Sequence, residues 1–236
     1  MSSIAPESLP RRSFVYRKLL QLGAQFAEMN GAAIAQAFGN SAAETEQARQ
    51  LALCDLSPLA RSGLKGPGAA DWLATQGVVL PPAVNHATRQ ADGALVARIG
   101  MNDFMVLSDL DGQSMLPARL VEAWTKEPVP PDTPRGFPVP RQDGFCWFAV
   151  TGKNADAMLA KLCGVDLRPH KFQVGEIAQT SVARLSAVVI RNDLNATLAY
   201  YLFADSASAE YWWDCLIDAM NEFVGKPVGL NALQGL

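Results

Sequence analysis

The sequence predicts an α+β fold of two pseudo-repeat modules. Three observations lead there: an internal near-repeat, the order of elements within each copy, and a dense proline segment between the copies. Residues 51–82 return in degenerate form from about Phe148 onward. With a shift of 86 positions, Gly66 falls on Gly152, Leu64 on Val150, Ala69 on Ala155, Leu73 on Leu159 and Ala74 on Ala160. One inserted residue later, Gly77, Val78, Leu80 and Pro82 meet Gly164, Val165, Leu167 and Pro169. The original shift also sets Val-Ala-Arg-Ile at 96–99 over Val-Ala-Arg-Leu at 182–185. Two copies at so long a period are a duplicated module and not a solenoid. Each half reads strand, helix, two strands, helix, the mixed order of an α+β fold.

Taken in order, residues 1–12 are polar, with Pro6 and Pro10, and form an arm able to dock on a partner. Alternation of Leu22, Ala24 and Phe26 predicts a strand over 22–28, interrupted beyond it by Gly31. Ser41 and Glu44 have the spacing of a capping box, so a helix follows to about Leu53. In the first copy Pro67 suits an opening turn, Ala69, Trp72 and Leu73 share a face, and Gly77 closes the helix. Residues 94–100 and 104–109 read as strands joined through Met101, Asn102 and Asp103. Ser114 suits the cap of a helix whose apolar side is Leu116, Leu120, Val121 and Trp124.

Residues 127–144 then carry Pro128, Pro130, Pro131, Pro134, Pro138 and Pro140. Prolines this dense exclude a helix or a central strand, so the segment reads as a linker or surface strap. It separates a first module, 13–126, from a second, 145–236. In the second copy Ala155, Met158, Leu159, Leu162 and Cys163 make one helical face, with Gly164 as a left-handed stop. Strands follow at 146–150, 178–191 and 196–204. A last helix over 210–224 is capped by Asp205 or Ser206 and stopped by Gly225 and Pro227.

Composition narrows the function. With 236 residues and 49% hydrophobic content the chain can bury a sizeable core, and a net charge of −3 gives no field for nucleic acid. The N-terminus has no apolar signal core, and no run approaches the roughly 18 residues that span a bilayer, so a cytoplasmic location is expected. Four cysteines without a C-x-x-C pair, beside two histidines, read as reduced structural thiols and not as a zinc site.

Motif by motif, little chemistry appears. The glycines at 63, 66 and 68 lack the Gly-Lys-Ser/Thr ending of a phosphate loop and read as a turn and helix entry. His86 has no Ser, Cys or acid at a diagnostic spacing, and Asp103, Asp109 and Asp111 do not form an EF-hand pattern. No catalytic, cofactor-binding or metal-binding residue is therefore expected. Arg168, His170 and Lys171 cluster after a helix stop and suit an anion or an acidic partner surface. Tyr211, Trp212 and Trp213 fan over about 200° of a helix, and Tyr200 to Phe203 make both faces of a strand apolar. One core face does not cover them all, so Tyr200, Tyr201, Tyr211, Trp212 and Trp213, with Arg168, His170 and Lys171, are expected to form a partner interface.

Several phrases then carry a family resemblance: CDLSPLARSGLKGPGAADWL at 54–73, VARIGMNDFMVLSD at 96–109, EIAQTSVARLSAVVIR at 176–191 and ADSASAEYWWDCLIDAMNEF at 204–223. Together they resemble the gamma subunits of heterotetrameric sarcosine oxidases, small relatives of the folate-binding T-protein, the aminomethyltransferase of glycine cleavage. LGAQF at 22–26 and Asp-Leu-Ser at 55–57 are similar to the opening of that superfamily, and the likeness spans about 18–225. The resemblance implies a duplicated T-protein-like (aminomethyltransferase folate-binding) fold in which the first strands are exchanged between halves.

It also implies a non-catalytic gamma-type subunit of a flavoenzyme that oxidises sarcosine or another N-methyl amino acid. The partners would be alpha, beta and delta chains, with FAD, FMN, NAD, tetrahydrofolate and zinc on those chains and none on this one. Catalytic T-protein relatives hold folate with an acid on a Tyr-Thr-Gly-x-x-Gly-Phe-Glu turn, and iron-sulfur repair relatives carry Lys-Gly-Cys-Tyr. Neither occurs here, and the expected place of the acid reads Ala-Tyr-Tyr-Leu-Phe at 199–203. A pterin's amino-amide edge needs a bidentate carboxylate or its equivalent. Two further functions stay open: a free-standing folate-dependent aminomethyl transferase, and an assembly or binding module without oxidase partners.

Overall fold

A computed structural model describes residues 3–127 and 133–236. In chain order the elements are β1 (Arg11–Arg12), α1 (Tyr16–Gln21), β2 (Gln25–Met29), β3 (Ala32–Ala37), α2 (Ser41–Gln50), β4 (Ala52–Asp55) and β5 (Arg61–Lys65). There follow α3 (Ala69–Thr75), β6 (His86–Arg89), β7 (Leu95–Gly100), β8 (Asp103–Leu107), α4 (Leu116–Lys126), β9 (Phe137–Pro138) and β10 (Phe145–Thr151). The last are α5 (Ala155–Leu159), β11 (Ile177–Val182), β12 (Leu185–Arg191), β13 (Ala199–Asp205), α6 (Ala209–Met220), β14 (Lys226–Pro227) and α7 (Leu230–Gln234). Mixed sheet and helix agree with the α+β expectation. No helix among the described residues is long and apolar enough to cross a membrane.

The chain divides into two units, the first made of the residues up to Pro58 together with Phe145–Leu236 and the second of Leu59–Gly144. This differs from the expected 13–126, 127–144 and 145–236. The physical reason is strand pairing: β4 precedes β5 in the chain yet pairs with β10, while β9 precedes β10 yet pairs with β5. Residues 13–58 therefore join the second half of the chain.

In the first unit a six-stranded sheet runs β11-β12-β13-β10-β4-β14, beside a three-stranded sheet β1-β3-β2. Helix α6 lays Trp212 and Trp213 on the six-stranded sheet, where both meet Phe148 of β10 at centroid distances of 5.6 and 5.4 Å. The N-terminal arm docks within this unit: β1 pairs in parallel with β3, and Arg11 donates to the Pro58 carbonyl at 2.7 Å. Strand β3 was not foreseen, because Asn30 and Gly31 adopt positive φ (52° and 76°) and turn the chain back as a hairpin. Helix α2 is capped by Asn40, which accepts from Ala43 N at 3.1 Å, and not by Ser41. It ends at Gln50, three residues earlier than expected, since the following residues are drawn into β4.

In the second unit the sheet order is β6-β7-β8-β5-β9. Helices α3 and α4 bury Ala69, Trp72, Leu73, Leu116 and Leu120 against Leu64, Val96, Phe104 and Val106. Of the proline segment, Pro128, Pro130 and Pro131 lie outside the described residues. The rest is tied to this unit. Arg135 sits 4.1 Å from the Trp124 ring centroid, Trp124 Nε1 donates to Gly136 O at 3.3 Å, and Arg61 donates to the Arg141 and Gln142 carbonyls at 2.8 and 2.6 Å. Pro138 lies on an edge strand, where its missing N–H leaves no ladder bond unmade.

The aligned glycines have the same backbone state, φ 109° at Gly66 and 107° at Gly152. Each donates its N–H at 2.8 Å to the residue preceding a strand, Asn102 before β8 and Leu198 before β13. Each accepts from the first residue of the following helix, Ala69 or Ala155. The alignment of 96–99 with 182–185 does not hold. The former lies within β7, whereas Ala183 and Arg184, at φ 48° and 67°, turn the chain between β11 and β12. The single strand expected over 178–191 is thus a hairpin. Helix α5 ends at Leu159, and Gly164 is not left-handed; at the end of α6, Val224 takes φ 55° in place of Gly225.

The two glycines separate conformational strain from crowding. A Cβ on Gly66 would come no closer than 3.4 Å to Phe137, whereas one on Gly152 would lie 2.5 Å from the Gln50 carbonyl that leads into β4. Gly66→Ala is expected to lose about 1–2 kcal/mol for an L residue at positive φ. Gly152→Ala should lose distinctly more, because backbone must also move. Denaturant midpoints of the two variants test this, and equal losses would contradict it.

Candidate functional site

The best-organised polar assembly of the first unit lies under the segment between α5 and β11. Arg191 ends an apolar strand and is nearly buried, with its side chain 10% exposed. Its guanidinium binds both carboxylate oxygens of Asp193, at 3.0 and 2.7 Å, and donates to the Pro169 and Phe172 carbonyls at 2.9 and 2.5 Å. The Tyr200 hydroxyl, from β13, donates to the Leu167 carbonyl. Burial pushes the Tyr200 phenol well up, so it stays protonated and able to donate. Phe172 stacks on the Tyr200 ring at 6.4 Å.

Three carbonyls of the 165–173 segment are thus held from below, which leaves Arg168, His170 and Lys171 exposed above. Arg168 binds Asp166 with both ends of its fork, at 2.8 and 2.6 Å. The arrangement is an exposed basic loop on a hydrogen-bonded base. Arg191 and Asp193 were missed from the sequence. The available signal was a lone Arg closing the apolar run 187–190 with an acid two residues on, a pattern for a cation buried with its counter-ion.

The aromatic part of the expected interface is corrected. Tyr200, Tyr201, Trp212 and Trp213 are buried, between 0% and 4% exposed, and only Tyr211 lies open, at 50%. Side chains alternate along β13, so Tyr200 and Leu202 face α6 while Tyr201 and Phe203 pack on Trp147 of β10 at 5.3 and 5.5 Å. The helical fan is absorbed in the same way: Trp212 Nε1 donates to Val182 O at 3.1 Å, and Trp213 sits edge-on to Phe148.

The remaining candidates serve the fold. Asp55 accepts from Ser57 N at 3.1 Å, and the Ser57 hydroxyl accepts from Trp147 N at 3.0 Å, joining the end of β4 to β10. Burial pushes the Cys54 thiol well up, with Asp55 and Glu44 adding to the effect, so this cysteine is held as the unreactive thiol. All four cysteines are free. In the second unit Asp103 pairs with Arg141 and Lys65, Asp109 accepts from Ser114 N at 2.9 Å, and His86 opens β6 with Nδ1 near Val84 O at 3.2 Å. Among the described residues no group of three His, Cys, Asp or Glu is placed to hold a metal ion. The residues do not fit a pterin either: at 199–203 the side chains are apolar or, like the Tyr200 hydroxyl, already engaged.

Comparison with known proteins gives a consistent family. Residues 15–236 match the family described as the GCVT N-terminal domain. The chain is 27% identical over 234 residues to an aminomethyltransferase of Streptomyces avermitilis, an alignment that takes in 94% of this chain and 59% of that protein. It is 27% identical over 161 residues to a sarcosine oxidase subunit gamma of an Arthrobacter species, covering 68% of this chain and 73% of that one. The fold is similar to a chain of the heterotetrameric sarcosine oxidase of Corynebacterium sp. U-96, at TM-score 0.60 and 24% identity over 78% of this chain and 92% of that one. It is also similar to the glycine cleavage aminomethyltransferase T of Bartonella henselae, at TM-score 0.73 and 16% identity over 96% of this chain and 61% of that one. The chain therefore spans about three-fifths of the aminomethyltransferases it resembles.

Two outcomes are expected at the loop. Replacing Arg191 by Met strands the Asp193 carboxylate and two carbonyls, for a loss of about 3–5 kcal/mol. Hydrogen exchange should then rise first at Lys171 and Phe172, whose N–H groups both donate to Arg168 O. The second is electrostatic. The hydrogen bond from Arg168 lowers the Asp166 carboxyl from its ordinary 3.8 to about 2. With the folded value the lower one, the pair favours the folded loop above 3.8 and ceases to do so as pH falls through about 2. A carboxyl NMR titration should show the low midpoint, moving back toward 3.8 in Arg168→Ala.

Proposed function

The chain belongs to the GCVT N-terminal domain family, and from that premise we propose that it is a non-catalytic, gamma-type subunit of a sarcosine oxidase-like flavoenzyme. In this reading the complex oxidises sarcosine or another N-methyl amino acid, and its partners are alpha-, beta- and delta-type chains. FAD, FMN, NAD, tetrahydrofolate and zinc then belong to those chains. The observation that carries the reading is the similarity to a sarcosine oxidase subunit gamma over 73% of that protein's length. A likeness to a chain of a heterotetrameric sarcosine oxidase supports it at the level of fold.

The competing reading, a folate-dependent aminomethyl transferase, draws on the similarity over 94% of this chain to an aminomethyltransferase. The side chains of β13 weigh against it. A pterin's donor edge calls for a carboxylate, and β13 offers Tyr200, Tyr201, Leu202 and Phe203, all packed into the core.

Purifying a tagged chain from its native source is the test. We expect it to arrive in stoichiometric amount with a larger, flavin-containing chain and with amine-oxidising activity. The same chain purified alone should be colourless and bind no tetrahydrofolate in a fluorescence titration. A reducible flavin spectrum on the lone chain, or saturable folate binding, would overturn the proposal.

A further inference from the structure

A second cationic feature of the first unit lies where β1 leads into α1, and nothing in the loop at 165–173 involves it. Arg12 and Arg17 each hold a guanidinium over the ring of Tyr16, with the central carbons 5.1 and 5.2 Å from its centroid. Both arginines are exposed. Arg12 donates once, to the Leu9 carbonyl at 3.0 Å. Among the described residues the charged end of Arg17 makes no hydrogen bond, and neither arginine forms an ion pair. The neighbouring Lys18 does have a carboxylate, Asp214 at 2.9 Å, so that acid is already taken.

Although the chain carries a net charge of −3, no carboxylate among the described residues forms an ion pair with either arginine. The Tyr16 ring offers its negative face to both guanidiniums, and apart from the bond from Arg12 to the Leu9 carbonyl their N–H groups make no hydrogen bond among the described residues. Planar forks of this kind lose little rotamer entropy on binding a carboxylate. One turn along the same helix face, Leu20 is 39% exposed, and Leu22 just beyond the helix is 51% exposed. Arginine and tyrosine beside an apolar residue is the composition of an interface hot spot.

We infer that Arg12, Tyr16, Arg17 and Leu20 form a docking surface for an acidic segment of a partner polypeptide. Carboxylates of that segment would take the two guanidiniums, and an apolar side chain beside them would rest on Leu20. An open helix face flanked by leucines suits a polypeptide. A small anion there would meet two solvated cations with no walls around them. The inference rests on the subunit reading above and names a surface for it.

The full chain, assembled with the larger chain that co-purifies with it, provides the test. In Arg12→Glu/Arg17→Glu, and to a lesser degree in Arg17→Glu alone, affinity should fall by about tenfold or more. Circular dichroism and Tm should stay as in the wild type in Arg17→Glu, since Arg17 makes no hydrogen bond among the described residues, and this single variant separates loss of binding from loss of the Arg12 bond to the Leu9 carbonyl. Added salt should weaken the wild-type complex more steeply than the variant complex. Unchanged affinity and salt dependence in the double variant would overturn the surface while leaving the subunit reading standing. A wild-type chain that forms no complex would overturn both. Saturable binding of inorganic phosphate to the lone chain, lost in Arg17→Glu, would assign the pair to a small anion and likewise overturn the proposal.

Discussion

The pairing of β4 with β10 is the constraint on which the first unit depends. Four register pairs, from Phe148 with Asp55 to Thr151 with Ala52, join segments that lie far apart in sequence. The loop entropy of so distant a contact has to be met before any of its bonds form. The interface is correspondingly well tied. Leu56 N donates to Trp147 O at 2.8 Å, Ser57 bridges to Trp147 N, and Thr151 Oγ1 donates to Ala48 O at 2.9 Å. Once β4 is seated, its outer edge is open to β14, whose Pro227 needs no ladder donor.

That pairing explains how the aromatic residues are used. With β12 on one side and β10 on the other, both edges of β13 are paired, and the side chains that alternate along it are buried on both faces. Trp147, Tyr201 and Phe203 form one cluster, while Phe148, Trp212 and Trp213 form another on the opposite face. Aromatic density here builds the core, since each large side chain removes much apolar surface from water. What lies exposed in this unit includes smaller groups of charged residues whose backbone is fixed elsewhere.

Both such groups use a buried or aromatic base to hold exposed cations. At 165–173 the base is Arg191 with Asp193, a paired charge that satisfies two carbonyls which would otherwise lose water without replacement. On α1 the base is the Tyr16 ring. A surface prepared in this way costs less to order on binding than one made of free lysines.

Local signals in the sequence determined the two glycine turns, the helices that follow them, the aromatic helix α6 and the mixed fold class; the expected cap of α6 is not used, since Asp205 accepts from Ala207 N at 2.8 Å in the short turn before the helix and Ser208 at the helix start makes no side-chain cap. Each of these depends on a few adjacent residues: Gly66 and Gly152 because only glycine readily adopts φ near 108°, and α3 because Ala69, Trp72 and Leu73 share a face. The exposed basic cluster was also legible, since Arg168, His170 and Lys171 stand close together around Pro169, although the helix stop expected before them at Gly164 is not where α5 ends. Partner choice between strands was not. An edge of β10 offers the same backbone groups to any strand, so nothing in residues 52–55 states that they pair with 148–151 and not with β5. Burial of Trp212, Trp213, Tyr200 and Tyr201 was decided at the same level, because exposure depends on what tertiary packing places over a face. Periodicity reveals that a face is apolar; only the folded chain supplies its cover.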